Sequence, residues 1–188
     1  MPFSATSSRR RAAGAALLLA LAAAPAGAKV FLSVDEAVKL AFADAQVTRQ
    51  TAFLTPEQVA RAKALAGVEV ASALVTFYTG RKGGQIVGTA YFDTHRVRTL
   101  PETLMIVVDA AGAVRRLEIV SFREPEEYIP RGNWYRQFLG RKLDPELALK
   151  RAIHPATGAS LTARATTEAV RRALALHRVL AEGGKGGG

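Results

Sequence analysis

Leu104-Met105-Ile106-Val107-Val108-Asp109, then Ala110-Ala111-Gly112, then Ala113-Val114-Arg115-Arg116-Leu117-Glu118-Ile119-Val120-Ser121-Phe122, is the stretch whose reading decides the fold. Two runs rich in β-branched and large apolar side chains flank a short turn around Ala111-Gly112, which is the pattern of a hairpin. A second pair lies upstream, Val70 to Tyr78 and Gln85 to Phe92, separated by Arg81-Lys82-Gly83-Gly84. Before both, Ser33-Val34-Asp35-Glu36 reads as a capping box opening an amphipathic helix to about Ala45. Thr55-Pro56-Glu57-Gln58 opens a second helix, with proline at its first helical position, and both helices are expected to precede the sheet. Downstream, a helix is expected from about Ala163 to Ala181. Ala169, Val170, Ala173, Leu174, Leu176, His177 and Leu180 lie on its apolar side, and Glu168, Arg171, Arg172 and Arg178 opposite. The expected fold class is α+β: a single domain over residues 29–182, with an antiparallel sheet of two hairpins flanked by N-terminal helices and a C-terminal amphipathic helix. The tail Gly183-Gly184-Lys185-Gly186-Gly187-Gly188 cannot form a core and is expected to be disordered.

Immediately before the last helix stands Thr157-Gly158-Ala159-Ser160-Leu161-Thr162. Small residues let a ligand approach the backbone, hydroxyls accept or carry a phosphoryl group, and a helix start offers unpaired N–H donors with a partial positive charge. The bland reading makes Ser160 or Thr162 the cap of that helix and nothing more.

The segment resembles the attachment motif of the FMN-binding domain family, whose members include the covalent-flavin subunits of the sodium-pumping NADH:quinone reductase and of Rnf-type membrane complexes. In that family the motif reads Ser/Thr-Gly-Ala-Thr/Ser, and its last hydroxyl is joined to FMN through a phosphoester. The resemblance implies Ser160 as the attached residue, with Thr157, Gly158 and Ala159 before it. Serine stands where the family usually has threonine, and His154 where it usually has aspartate six residues upstream. Trp134-Tyr135-Arg136-Gln137-Phe138-Leu139-Gly140-Arg141 is similar to the Trp-x-x-Gln-Phe-x-Gly-basic stretch that often precedes the motif. Glu124 is the one residue of Arg123-Glu124-Pro125-Glu126-Glu127-Tyr128 that fits the family's next loop. The resemblance covers roughly residues 70–180. It implies an FMN cofactor attached at Ser160 beside Thr157, Gly158 and Ala159, with Trp134, Tyr135 and Phe138 as aromatic candidates for the ring. By position, Thr162, Arg164 one turn into the helix, and His154 are candidates near the phosphate. Arg164 also reads as an ordinary exposed arginine, and Trp134 and Phe138, four apart, as core packing. The resemblance also implies a flavin transferase as a partner, and a membrane redox complex or another extracytoplasmic carrier to exchange electrons with. Such a chain is an electron-transfer flavoprotein rather than a stand-alone enzyme. The alternative is a cofactor-free binding or assembly module of the cell envelope, in which the motif is a helix cap.

Arg9-Arg10-Arg11, the apolar run Ala12 to Ala24 and the small-residue site Ala26-Gly27-Ala28 read as a signal peptide over residues 1–28. The run is shorter than the ~20 residues that span a bilayer. The expected location is therefore periplasmic or otherwise extracytoplasmic, with membrane anchoring if the segment is kept. Cleavage lowers the formal charge from +10 to +7, since residues 1–28 carry three arginines and no acid. That balance suits an anionic cofactor, an acidic redox partner or peripheral contact with anionic headgroups. Nucleic acid is not expected, because no recognition motif is present. The chain has no cysteine, which excludes disulfides, thiolate zinc sites and iron–sulfur clusters. Glu124, Glu126 and Glu127 read as an acidic loop, and His95, in Asp93-Thr94-His95, as structural or at the surface.

Overall fold

The computed structural model describes residues 29–184. The segment expected to be a signal peptide, residues 1–28, and the last four residues of the expected tail lie outside them. The elements run β1 (Lys29–Val30), α1 (Val34–Phe42), β2 (Gln46–Phe53), α2 (Pro56–Ala66), β3 (Leu74–Lys82), β4 (Gln85–Arg96), β5 (Pro101–Val108), β6 (Val114–Phe122) and α3 (Ser160–Gly183). Short 3₁₀ turns at Glu126–Tyr128 and Trp134–Phe138 lie between β6 and α3.

The fold is α+β, built on one six-stranded antiparallel sheet of order β1-β6-β5-β4-β3-β2. Both expected hairpins are present, and two strands join them. β2 lies between the helices that were expected to precede the sheet, and β1 precedes both. The first hairpin is also shifted along the chain: β3 starts at Leu74 rather than Val70 and runs through Lys82, leaving Gly83 and Gly84 as the turn.

The central strand explains why the opening stretch reads as it does. Leu104, Ile106 and Val108 enter the larger core, beneath α2 and α3, while Met105 and Val107 enter a smaller one beneath α1. Alternate residues of a strand face opposite sides, so a strand covered on both faces is apolar throughout. α1 fits its face by a notch. Gly80 and Gly88 face each other across β3 and β4, and a Cβ on Gly80 would lie 2.3 Å from the Phe42 ring.

Both capping boxes form: Ser33 and Glu36 exchange backbone bonds at the start of α1, and Thr55 and Gln58 do so at α2. α3 extends past both expected ends, taking in Ser160 at one and Gly183 at the other, so Gly183 belongs to the helix and not to the tail. Two of its arginines are not simply solvated. Arg171 donates to the carbonyls of Ala66, Asp144 and Leu147, tying α2 and the preceding loop to α3, and Arg172 forms a forked pair with Asp93 of β4. Among the described residues, no helix is long and apolar enough to cross a membrane.

Candidate functional site

α3 begins at Ser160, with Ala159 at its N-cap position and no side-chain cap. The expectation that Ser160 or Thr162 caps the helix is thus corrected: both lie inside the first turn, downstream of the position from which a hydroxyl reaches the N2 or N3 amide. Ser160 is solvent-exposed, and its hydroxyl makes one long contact, 3.5 Å to the Ala156 carbonyl. The first amides of the helix have no intrahelical acceptor, and no acidic residue stands in the first turn. Gly158, at φ 78°, makes the turn into the helix, a left-handed conformation that glycine adopts without penalty.

A pocket of about 280 Å³ opens beside this turn, lined by Val97, Arg98, Tyr128 and residues 158–162. Each wall is pinned by a residue that the sequence singled out for another reason. Glu124 is buried, and one of its oxygens accepts from the amides of Leu100 (2.8 Å), Thr99 (2.7 Å) and Arg98 (3.3 Å). Those backbone bonds, Leu100 foremost, hold its carboxyl below the usual range. Glu124 thus shapes the β4–β5 turn that carries Val97 and Arg98. The buried Thr162 hydroxyl donates to the Tyr128 carbonyl, fixing the second wall to α3.

The third wall is set by Trp134 and Gln137. The Trp134 indole donates to the His154 carbonyl at 2.7 Å, and the Gln137 side chain accepts from the His154 amide at 2.8 Å. One residue is thereby clamped on both backbone groups, six positions before Ser160. This gives the Trp-x-x-Gln spacing a physical role: it seats the loop leading into the motif.

Gly158, Ala159, Ser160 and Thr162 share the pocket, while Thr157 is exposed beside it. Trp134 and Phe138 are buried and pack edge-on, and Tyr135 stacks edge-on to Trp134 within the core, so this cluster supports the loop from behind instead of lining the pocket. The His154 residue is exposed and contributes through its backbone. Arg164 turns away to pair with Glu168 at 2.9 Å and borders a different hollow.

Two residues of the pocket were not anticipated. Arg98 lies over the Tyr128 ring at 5.1 Å and donates to its hydroxyl at 2.9 Å. Its guanidinium thus meets a phenol, and among the described residues it forms no ion pair with a carboxylate, which leaves its charge available to an anion. No sequence signal singles them out, because the contact joins residues 98 and 128 through the closing of the sheet.

A second polar cluster lies about three turns further along α3, at Arg172, and joins it to Asp93 and His95 of β4. His95 donates or accepts between Asp93 (2.9 Å) and Glu102 (3.1 Å), and Asp93 is held in turn by Arg172 at 2.7 Å. Burial alone would lower the His95 pKa, but the bonds to the two carboxylates prevail and hold it at about 9. Burial would raise Asp93, yet His95 and Arg172 keep it low; Glu102, fully enclosed, is raised by burial. The cluster holds α3 to β4 and β5, which gives His95 the structural role expected of it. Among the described residues, no group of three His, Cys, Asp or Glu side chains is arranged to hold a metal.

Comparison with protein families, with curated proteins and with solved structures finds no match for this chain.

Proposed function

We propose that this chain is an exported electron-carrying flavoprotein in which the phosphoryl end of FMN is joined to the Ser160 hydroxyl. The observation that carries the reading is a solvent-facing serine on the first turn of α3, free of any capping duty, at the rim of a pocket that also presents Arg98. It supports the motif resemblance from an independent direction, because a phosphoester needs a reachable oxygen, amide donors and a compensating cation in one place. The pocket falls just below the ~300–1,000 Å³ of sites that enclose a whole ligand, which suits capture of one end of a nucleotide. The ester forms by transfer: the Ser160 hydroxyl gives up its proton and takes the flavin phosphoryl group from a phosphoanhydride donor held by the transferase, whose other phosphate leaves, so the chain's net gain is FMN less one water.

Bound there, the flavin would supply electron transfer, and the chain would orient it and set the charge around it. Gly158 allows close backbone approach, the helix start and Arg98 hold the phosphoryl oxygens, and Glu124, Thr162 and the Trp134–Gln137 clamp keep the walls in place. Arg98 takes the part expected of Arg164. The partners in this reading are a flavin transferase and a membrane redox complex or other extracytoplasmic carrier, met after export.

Co-expression with a flavin transferase tests it. The wild-type chain is expected to turn yellow and to gain the mass of FMN less one water, Ser160→Ala to stay colourless, Arg98→Ala to load poorly and Arg164→Ala to load as wild type. A wild-type chain that stays colourless and unmodified beside an active transferase favours the cofactor-free envelope module instead.

A further inference from the structure

The outer edge of β2 carries a pattern that fits its own copy. β2 ends the sheet, is exposed along almost its whole length, has no proline and carries one charge, Arg49. Long edges of this kind are normally blunted by charge, proline or a bulge, because their open amides and carbonyls template another strand. The opposite edge, β1, is only two residues long.

The direction of the open groups follows from the pairing with β3. Phe53 faces Leu74 and the next residue, Leu54, donates its amide to Ala73, so even-numbered residues turn their backbone groups toward β3. Val47, Arg49, Thr51 and Phe53 therefore present theirs outward. In a two-fold antiparallel pair, outward groups must meet outward groups, which restricts the axis to a residue and not a gap between residues.

We infer that two copies of this chain join through β2 in the register centred on Gln50. In it Val47 faces Phe53 of the other copy and Arg49 faces Thr51, giving four facing pairs that exchange about eight backbone bonds. The register places Phe53, 80% exposed, against Val47, 37% exposed, on one face of the joined sheet. Centring on Arg49 instead sets two guanidinium groups opposite each other and loses a facing pair; centring on Thr51 leaves Val47 outside the ladder. Charge, apolar pairing and bond count thus select the same register. Because the two-fold interface uses the β2 edge of both copies, the assembly closes at two copies. The inference is independent of the flavin.

The chain has no cysteine, so single thiols report the register cleanly. At the axis, residues 50 of the two copies face each other in a non-hydrogen-bonded pair with Cα atoms ~4.5 Å apart, within disulfide range. The mature protein is expected to sediment as a concentration-dependent dimer, Gln50→Cys to form an intermolecular disulfide on mild oxidation, and Arg49→Cys to do so poorly. Gln50 accepts a bond from Thr79, so a second pair of variants avoids that position. Thr51→Glu, placed opposite Arg49, should tighten the dimer and Thr51→Lys should loosen it, the two differing on the order of tenfold in dissociation constant. A wild-type chain that stays monomeric at every concentration, or a thiol at 49 that cross-links as readily as one at 50, overturns the inference.

Discussion

Raising the pH from 6.5 to 9 should destabilise this protein through one histidine. His95 sits between Asp93 on β4 and Glu102 on β5, with Arg172 of α3 reaching the cluster through Asp93. Its pKa is raised from 6.5 to about 9 in the folded chain. Below the unfolded value both states hold the proton and the full contribution is present. Between the two values the unfolded chain has lost the proton and the native chain has not, so stability falls by about 1.4 kcal/mol per pH unit, and above the folded value the contribution is gone. The whole window would amount to about 3 kcal/mol, and Glu102, itself raised by burial, reduces the pair's charge, leaving a loss between about 1 and about 3 kcal/mol. Asp93 is lowered and contributes constantly across this window, while His177 is lowered by burial and acts below it with the opposite sign. Urea unfolding of wild type and His95→Gln at intervals across pH 6–9.5 reads the effect without added salt. Wild type should lose stability steadily through the window, and His95→Gln, less stable at pH 6, should be nearly flat. Parallel curves for the two proteins would refute the assignment.

Gly80→Ala drives a Cβ to 2.3 Å from the Phe42 ring and should cost about 1–3 kcal/mol in chemical denaturation, with Phe42→Leu in the same chain recovering part of it. Equal stability of Gly80→Ala and wild type would remove the notch as the seat of α1. Trp134→Phe removes the bond to the His154 carbonyl and should cost about 1–3 kcal/mol, with limited proteolysis showing faster cleavage between residues 154 and 160. Unchanged proteolysis there would show that the indole does not seat the loop.

The parts of the fold that local chemistry dictates were legible in the sequence. Ser33 with Glu36 and Thr55 with Gln58 announce their helices because a capping box is complete within four residues. β5 and β6 stand out because they are apolar enough to be covered. β2 was invisible for the opposite reason: Gln46–Phe53 is exposed on both faces, so no burial imposes an alternation on its polar residues. The two residues of β1 are too few to carry a pattern. At the site, the motif itself was legible, since glycine at a positive φ followed by small and hydroxyl residues leaves a local mark. The roles around it were not. Glu124 looks like a ligand contact in sequence because nothing there shows that its carboxylate is taken up by the backbone of Leu100. For Trp134 the four-residue spacing to Phe138 already marks core packing beside the ring contact, and both are buried. Arg98 and Arg164 differ only in tertiary placement: one meets a phenol at the pocket, the other a carboxylate one turn along its own helix.

The central claim, that Ser160 carries a flavin phosphate, is tested most directly by intact and peptide mass spectrometry on the protein isolated from its native cells. The account predicts a gain of FMN less one water, confined to the peptide that contains Ser160. An unmodified mass, or the flavin on any other hydroxyl, would contradict it.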